Sequence, residues 1–187
     1  MSERDGRTAR GLPERGELTV RSGTVSDAHT VLGLFDDAVR WLTARGQTGQ
    51  WGTTLFSESP KRVVQIEQWC DSGGLYLAER DGEPVGAMVL LPVAPAYVPV
   101  SDEPELYVVG LVSGRQAGAR GAGRKLLETA RNKAVAAGVS RLRVDCWAGG
   151  DGALVDFYVS AGFTRLHGFE VGDWPGQVLE QRLRRHP

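Results

Sequence analysis

The feature that most constrains this chain is a run of apolar residues followed by a glycine-rich turn and a helical pattern. Residues 106–112 are continuously apolar apart from Gly110, which is typical of a central strand buried on both faces. The turn beyond this strand contains Gly118, Gly121 and Gly123, and a helix is predicted from about residue 123 to residue 137. The predicted helix therefore begins where the chain leaves the middle of a sheet.

The chemistry of this turn suits an anion. The first turn of a helix leaves backbone N–H groups without partners and carries partial positive charge. Glycines let those groups approach a ligand because no Cβ stands in the way, and Arg120 and Arg124 add charge. The segment from Gly118 to Arg124, with Ala122 at its centre, therefore predicts a pyrophosphate site.

The local charge agrees with this expectation. Residues 115–143 hold eight Lys and Arg and one acid, Glu128, which makes the segment +7. The whole chain has a formal net charge of -1, so the remainder is -8. A polyanionic ligand is expected at this edge, while the balance of the whole chain gives no general bias toward nucleic acid or an anionic membrane.

Two common phosphate motifs fail at this turn. The glycine spacing of a P-loop is present, but Arg124 stands where Lys is required and Lys125 stands where Ser or Thr would hold magnesium. The dinucleotide-binding fingerprint requires a third glycine at position 126, but this chain has Leu126 there.

The hydrophobic periodicity predicts the order β-α-α-β-β-β-α-β-α-β-β and hence an α/β (α+β) fold with one mixed sheet flanked by helices. Strands are predicted over residues 17–21, 75–79, 85–91, 106–112, 141–147, 163–169 and 178–183, and helices begin near residues 27, 60, 123 and 154. Residues 1–16 contain almost no large apolar side chains and are predicted to form a mobile tail. Residues 17–187 then form a single domain.

The remaining composition predicts neither a disulfide framework nor a metal site. Cys70 and Cys146 lie among apolar neighbours and are expected to be reduced core residues, and the three histidines are scattered. No apolar stretch is long enough for a signal peptide or a membrane span, so a cytoplasmic location is the default expectation.

The turn resembles the coenzyme A motif of the GNAT family of N-acetyltransferases, Arg/Gln-x-x-Gly-x-Gly/Ala. This chain has Gly118-x-x-Gly121-x-Gly123, with glycine in place of the first Arg or Gln. A second block, Asp151-x-x-Leu154-x-x-Phe157-Tyr158-x-x-x-Gly162-Phe163, resembles the later motif of the family, with Asp151 and Leu154 as substitutions. Two blocks in order, separated by one strand, make the resemblance specific over about residues 75–183.

The resemblance implies a mostly antiparallel sheet with a V-shaped cleft between its two central strands and acetyl-CoA as cosubstrate. Pantetheine is expected to pair with backbone groups near Leu111 and Val112. The pyrophosphate is expected on the N–H groups of residues 120–124, and the second block assigns Asp151 and Tyr158 to the cofactor side.

Acetyl transfer requires a neutral amine, a stabilised oxyanion and a protonated leaving thiolate. The resemblance implies Tyr158 as the general acid. Two carboxylates are candidates for the general base: Glu105, expected at the mouth of the central strand, and Asp145, expected to face the cleft from the next strand. A backbone N–H near Leu111 is expected to serve the oxyanion.

The expected acceptor is the primary amine of a small molecule. Aromatic candidates for the acceptor walls are Trp41, Trp51, Phe56, Tyr97 and Trp174. A homodimer is expected from family habit alone. A non-catalytic coenzyme-A-binding module is the alternative, and a nucleic-acid binder is disfavoured because no aromatic residue is interleaved with the basic segment.

Overall fold

The structure of this protein, a computed structural model, consists of a β-sheet and the helices that pack on it. The described residues are 16–184, so the predicted tail lies, except for Gly16, outside them. The strands are β1 (Leu18–Ser22), β2 (Leu75–Arg80), β3 (Glu83–Leu91), β4 (Glu105–Ser113), β5 (Arg141–Trp147), β6 (Thr164–Val171) and β7 (Trp174–Arg182). The helices are α1 (Ala28–Thr43), α2 (Pro60–Asp71), α3 (Ala122–Ala136) and α4 (Ala153–Ser160).

The seven strands form one mixed sheet in the order β1-β2-β3-β4-β5-β7-β6. Every neighbouring pair is antiparallel except β4 and β5, which are parallel. The parallel pair requires a crossover, and α3 supplies it between the two strands. The prediction of a mostly antiparallel mixed sheet flanked by helices is confirmed.

Two apolar cores lie on opposite faces of the sheet. The apolar stripe of α1, which includes Val31, Phe35 and Ala38, is buried in one core together with Ile66 of α2. The other core packs α3 and α4 against the opposite face through side chains that include Leu126. Helices on both faces bury the central strands on both sides, which explains the continuous apolar run of β4.

The central strands part because β4 contains a bulge. Val89 of β3 pairs with Gly110, but the next residue, Leu90, pairs with Val108, so Val109 is an extra residue in β4. Pairing between β4 and β5 ends at Val108 and Val144, at the same level as the bulge. A bulge bends its strand and increases the twist, so the remainder of β4 diverges from β5 and leaves one edge without a strand partner.

The start of the last strand differs from the prediction. β7 begins at Trp174, four residues before the expected start at Val178. Pro175 and Gly176 are residue types that weaken sheet interiors, so the sequence gives little strand signal before Val178. Pro175 is tolerated because it lies at the end of the hairpin with β6, and its carbonyl accepts from the N–H of Ala148.

None of the helices in residues 16–184 combines the length and the apolar character needed to cross a membrane.

Candidate active site

A cavity of about 560 Å³ lies where β4 and β5 part. Its walls come from both faces of the sheet, with α1, α2 and the segment between them on one side and α4 on the other. The β3–β4 loop and β7 complete the wall. Polar or aromatic side chains that line it include Trp51, Phe56, Arg62, Trp69, Tyr97, Asp145, Tyr158 and Trp174.

Asp145 is the carboxylate that lines this cavity. It lies on β5 just beyond the last pair with β4. The Tyr107 hydroxyl donates to its Oδ1 at 2.7 Å and the Tyr97 hydroxyl donates to its Oδ2 at 3.2 Å. Burial raises the pKa of Asp145, while the two tyrosine hydrogen bonds oppose that rise. A fixed carboxylate with a raised pKa has the properties of a general base.

Tyr158 projects from α4 into the same cavity. It is 4% exposed and makes edge contacts with Phe157 and Phe163, with ring centroids 5.1 and 5.9 Å away. Within the described residues its hydroxyl has no hydrogen-bond partner, so it is available to a group in the cavity. Burial raises the pKa of Tyr158, which keeps the phenol protonated.

Glu105 does not lie at the cleft, and this corrects its expected position. It begins β4 opposite Arg141, at the end of the strand where β4 and β5 are still paired. Its two carboxylate oxygens accept from Arg143 at 2.5 and 2.6 Å, and both side chains are buried. Glu105 balances a buried cation and has no place among the residues of the cavity wall.

The glycine-rich turn leads directly into the first turn of α3. Gly121 has a left-handed conformation, φ +88°, and forms the N-cap of α3 without a side-chain cap. The first bond of the helix runs from the Lys125 N–H to the Gly121 carbonyl, so the N–H groups of residues 121–124 precede the helical ladder. A Cβ on Gly123 would lie 3.1 Å from both Phe157 and Ser113, so a side chain there would have to displace them slightly.

Other predicted cofactor residues lie near the turn in different roles. The Arg120 N–H bonds the Ala117 carbonyl at 3.4 Å, while the Arg120 side chain is exposed. Gly118 has almost open space around its α-carbon, with only Arg80 at 4.0 Å from a Cβ built there. Arg124 donates to the backbone carbonyl and the hydroxyl of Ser160, which joins the start of α3 to the end of α4.

The remaining predicted cofactor residues divide between the two faces of the sheet. Leu111 lines the cavity, whereas the Val112 side chain is buried in the core under α1, which leaves its backbone at the unpaired edge of β4. Asp151 is exposed and accepts from the Ala153 N–H at 3.0 Å. It therefore caps the first turn of α4 and does not line the cavity.

The basic side chains of residues 115–143 do not all lie at one edge of the sheet, as the local charge had suggested. Arg141 and Arg143 lie at the start of β5, where Glu180 and Glu105 bind them. Arg124, Lys125 and other side chains border a groove beside the first turns of α3, so only part of the +7 charge is available to a ligand there.

Arg80 supports the turn and was missed by sequence reasoning. From the end of β2 it donates to the carbonyls of Gly118, Arg120 and Gly16, at 2.8, 3.2 and 2.9 Å. These hydrogen bonds hold the two turn carbonyls on the side of β2. No local pattern signals this role, because Arg80 is 38 and 40 residues from its partners in the turn.

The aromatic candidates for the acceptor wall are found in the cavity with one exception. Trp51, Phe56, Tyr97 and Trp174 line it. Trp41 does not, because its ring packs against the guanidinium groups of Arg45 and Arg115, whose central carbons lie 3.8 and 4.3 Å from its centroid. Trp69 also lines the cavity and fits over Gly110, where a Cβ would lie 2.7 Å from its ring.

These features fit coenzyme A. The unpaired edge of β4 suits an extended pantetheine, and the uncapped start of α3 suits a pyrophosphate. Cys70 and Cys146 are both free and buried, as expected. No group of three His, Cys, Asp or Glu within residues 16–184 has the arrangement of a metal site.

Solved structures share this architecture. The chain is similar to a GNAT-family acetyltransferase from Listeria monocytogenes, with 23% identity, a TM-score of 0.69, and coverage of 90% of this chain and 96% of that one. It is similar to ribosomal-protein-alanine N-acetyltransferase from Brucella melitensis, with 20% identity, a TM-score of 0.62, and coverage of 88% and 99%. An acetyltransferase from Salmonella typhimurium, solved with its cofactor acetyl-CoA, matches with 16% identity, a TM-score of 0.61, and coverage of 92% and 97%.

Comparison with curated protein sequences finds no match. The structural likenesses are below 25% identity and show the fold alone. The model of the acetyltransferase (GNAT) family, in contrast, matches the sequence itself over residues 37–163, which is more than half of its 187 residues. This match agrees with the two motif blocks and the parted strands, and it shows that the chain belongs to the GNAT family of acetyltransferases.

Proposed function

We propose that this protein transfers the acetyl group of acetyl-CoA directly to the primary amine of a small molecule. The observation that carries the proposal is the cavity where β4 and β5 part. A carboxylate, Asp145, and a phenol, Tyr158, line it together, and the unpaired edge of β4 runs beside them. Direct transfer needs an acid, a base and an oxyanion site around one point.

Asp145 is the proposed base. An alkyl ammonium must lose a proton before its nitrogen can attack, and the Asp145 carboxylate accepts that proton. Tyr107 and Tyr97 orient the two carboxylate oxygens through their hydrogen bonds. Glu105 is not the proposed base, because Arg143 binds both of its carboxylate oxygens away from the cavity.

Tyr158 is the proposed donor to the leaving sulfur. As the C–N bond forms and the C–S bond breaks, negative charge moves from the carbonyl oxygen to sulfur. The usual thiol pKa is about 8.5 and the phenol pKa is higher, so a thiolate is not basic enough to leave Tyr158 as a phenolate. Tyr158 therefore gives its proton to sulfur and receives a proton from the attacking nitrogen. One ammonium proton goes to Asp145, one goes through Tyr158 to sulfur, and one stays on the amide.

Backbone groups complete the proposed site. The N–H near Leu111, on the unpaired edge of β4, is the proposed donor to the oxyanion. The N–H groups of residues 121–124, together with Arg120 and the open space at Gly118, are proposed to bind the pyrophosphate. Asp151 contributes indirectly, by capping the helix that carries Tyr158.

A thiol-release assay with acetyl-CoA and a panel of small primary amines tests the proposal. Release that depends on an amine, with the acetylated amine identified by mass spectrometry, is the expected result. Binding of acetyl-CoA without release for any amine would instead favour a non-catalytic coenzyme-A-binding module. The homodimer also belongs to the proposal, and light scattering after size exclusion measures it.

A further inference from the structure

Arg62 is a half-buried cation in the wall of the cavity. It projects from the first turn of α2 and donates to the carbonyls of Thr54 and Trp51, both at 2.8 Å. Its central carbon lies 4.4 Å from the centroid of the Phe56 ring, so the guanidinium is also stacked. These three contacts hold the group in one orientation before any ligand arrives.

Arg62 has no acidic partner among residues 16–184. No carboxylate there lies within ion-pair distance of it, whereas Arg21, Arg141 and Arg143 each have at least one. Two of the five N–H donors of a guanidinium are used by the backbone carbonyls. A partly desolvated charge among aromatic rings is costly without a counter-ion, and a planar fork of donors matches a carboxylate.

The opposite charge lies across the same cavity. Asp145 lines the β5 side, Arg62 lines the α2 side, and the aromatic side chains Trp51, Trp69 and Trp174 also line the cavity. A ligand that complements this cavity carries an ammonium for Asp145, a carboxylate for Arg62 and an apolar group for the aromatic side chains. Polyamines and aminoglycosides carry several cations and no anion, so Arg62 repels them.

We propose that the acceptor is an amino acid with an apolar or aromatic side chain, and that Arg62 binds its carboxylate. This inference rests on the proposed function, because it narrows the acceptor of the same site. The amine then faces Asp145 and the bulge of β4, while the side chain occupies the aromatic part of the cavity. Arg62 is a specificity residue in this arrangement, since it touches the substrate away from the reacting atoms.

Matched pairs of amines that differ only in the carboxylate test the inference. Suitable pairs are phenylalanine with phenethylamine, tryptophan with tryptamine, and leucine with 3-methylbutylamine. We expect Arg62→Gln to lower kcat/KM for the amino acids about 10- to 100-fold, the loss expected for one charged hydrogen-bonding partner. Activity on the decarboxylated partners should fall much less, because they have no carboxylate for Arg62 to bind. Any effect of losing the Arg62 contacts with Trp51 and Phe56 acts on both members of a pair and cancels in their ratio.

The controls separate charge from folding. Lys61→Gln removes a charge from the neighbouring, exposed position and should leave every ratio unchanged. Arg62→Lys keeps the charge but loses the fork, so it should recover part of the preference. The ratio within each pair is compared between variants, so the different basicity of the two amines cancels.

Three results are decisive. Equal losses on both members of each pair, or turnover of simple amines with no turnover of any amino acid, would overturn the inference and leave acetyl transfer intact. Calorimetric binding of an amino acid to the wild-type complex with coenzyme A, lost in Arg62→Gln, supports the carboxylate site even if no acetylation occurs. If the amino acid binds but is not acetylated, the proposed acetyl transfer is wrong, while the proposal that Arg62 binds a carboxylate is supported.

Discussion

Asp145 and Glu105 carry the same chemical group, and their surroundings divide their roles. Asp145 receives hydrogen bonds from two neutral phenols, which orient it without neutralising it. Glu105 receives two from a buried guanidinium, and the pKa of Arg143 is raised by this hydrogen bonding. A carboxylate bound in that way balances a buried charge, and its removal would leave that charge without a partner.

Exchanging each carboxylate for its amide separates catalysis from stability. Asp145→Asn should lower kcat/KM about 100-fold with little change in melting temperature, because it removes a base. Glu105→Gln should cost about 3–5 kcal/mol of folding free energy, because it leaves a buried cation without its partner. Steady-state kinetics and thermal unfolding on both variants measure the two effects. The reverse pattern would return the base role to Glu105.

Tyr158→Phe tests the donor to sulfur. The substitution keeps the ring contacts with Phe157 and Phe163 and removes only the hydroxyl. We expect kcat to fall about 100-fold while the Kd of coenzyme A stays nearly constant. Turnover equal to that of the wild type would refute the role.

The hydrogen bond from Tyr107 sets a pH dependence. It lowers the pKa of Asp145 and opposes the larger effect of burial. The base must be ionised, so kcat/KM rises with pH through the pKa of Asp145. Tyr107→Phe removes a contact that favours the ionised form, so the acidic limb of the profile should move to higher pH. Tyr97→Phe, with its longer bond, should move it less, and a shift to lower pH in either variant would contradict the assignment.

Individual residues of the candidate active site could be predicted from the sequence only where they belong to a local motif. Tyr158 and the glycines lie in short blocks with fixed spacing. The choice between Glu105 and Asp145 stayed open in the sequence because their partners, Arg143 and Tyr107, are each 38 residues away. Contacts at that separation depend on how strands pair, which no local pattern reports.

At the scale of elements, the proposed cofactor site consists of the strand β4, the glycine-rich turn and the helix α3, and the side chain of Arg80 supports the turn. The strand and the helix were predictable because β4 has a continuous apolar run and α3 has a helical stripe. The bulge at Val109 was not, because it appears only as a shift in register against β3. The turn was recognised by its glycines, but its attachment to β2 through Arg80 was not.

Removing that attachment should weaken cofactor binding. Arg80→Gln loses the charged donors that hold the carbonyls of Gly118 and Arg120. We expect the Kd of coenzyme A to rise about 10-fold, as for one or two charged hydrogen bonds. Calorimetry measures it, and Arg165→Gln, which removes an exposed arginine near α4, serves as the control. An unchanged Kd for Arg80→Gln would show that the turn keeps its shape without this contact.

At the scale of the whole molecule, the parted strands connect two faces that the sheet otherwise separates. The turn and α4 lie with the core of one face, and Trp51, Phe56 and Trp69 of the acceptor wall lie with the core of the other. In the proposed reaction, a cosubstrate bound on the side of α3 and an amine bound on the side of α2 would meet at the gap beyond Val108 and Val144.

Calorimetric titration of the wild-type chain with coenzyme A at low ionic strength tests this account most directly. We expect saturable heat, an affinity that weakens as salt is added, and stabilisation of about 2.7 kcal/mol when the ligand is present at 100 times its Kd. A titration without heat, together with an unchanged melting temperature, would contradict the claim that the gap between β4 and β5 is built to hold an acyl-coenzyme A.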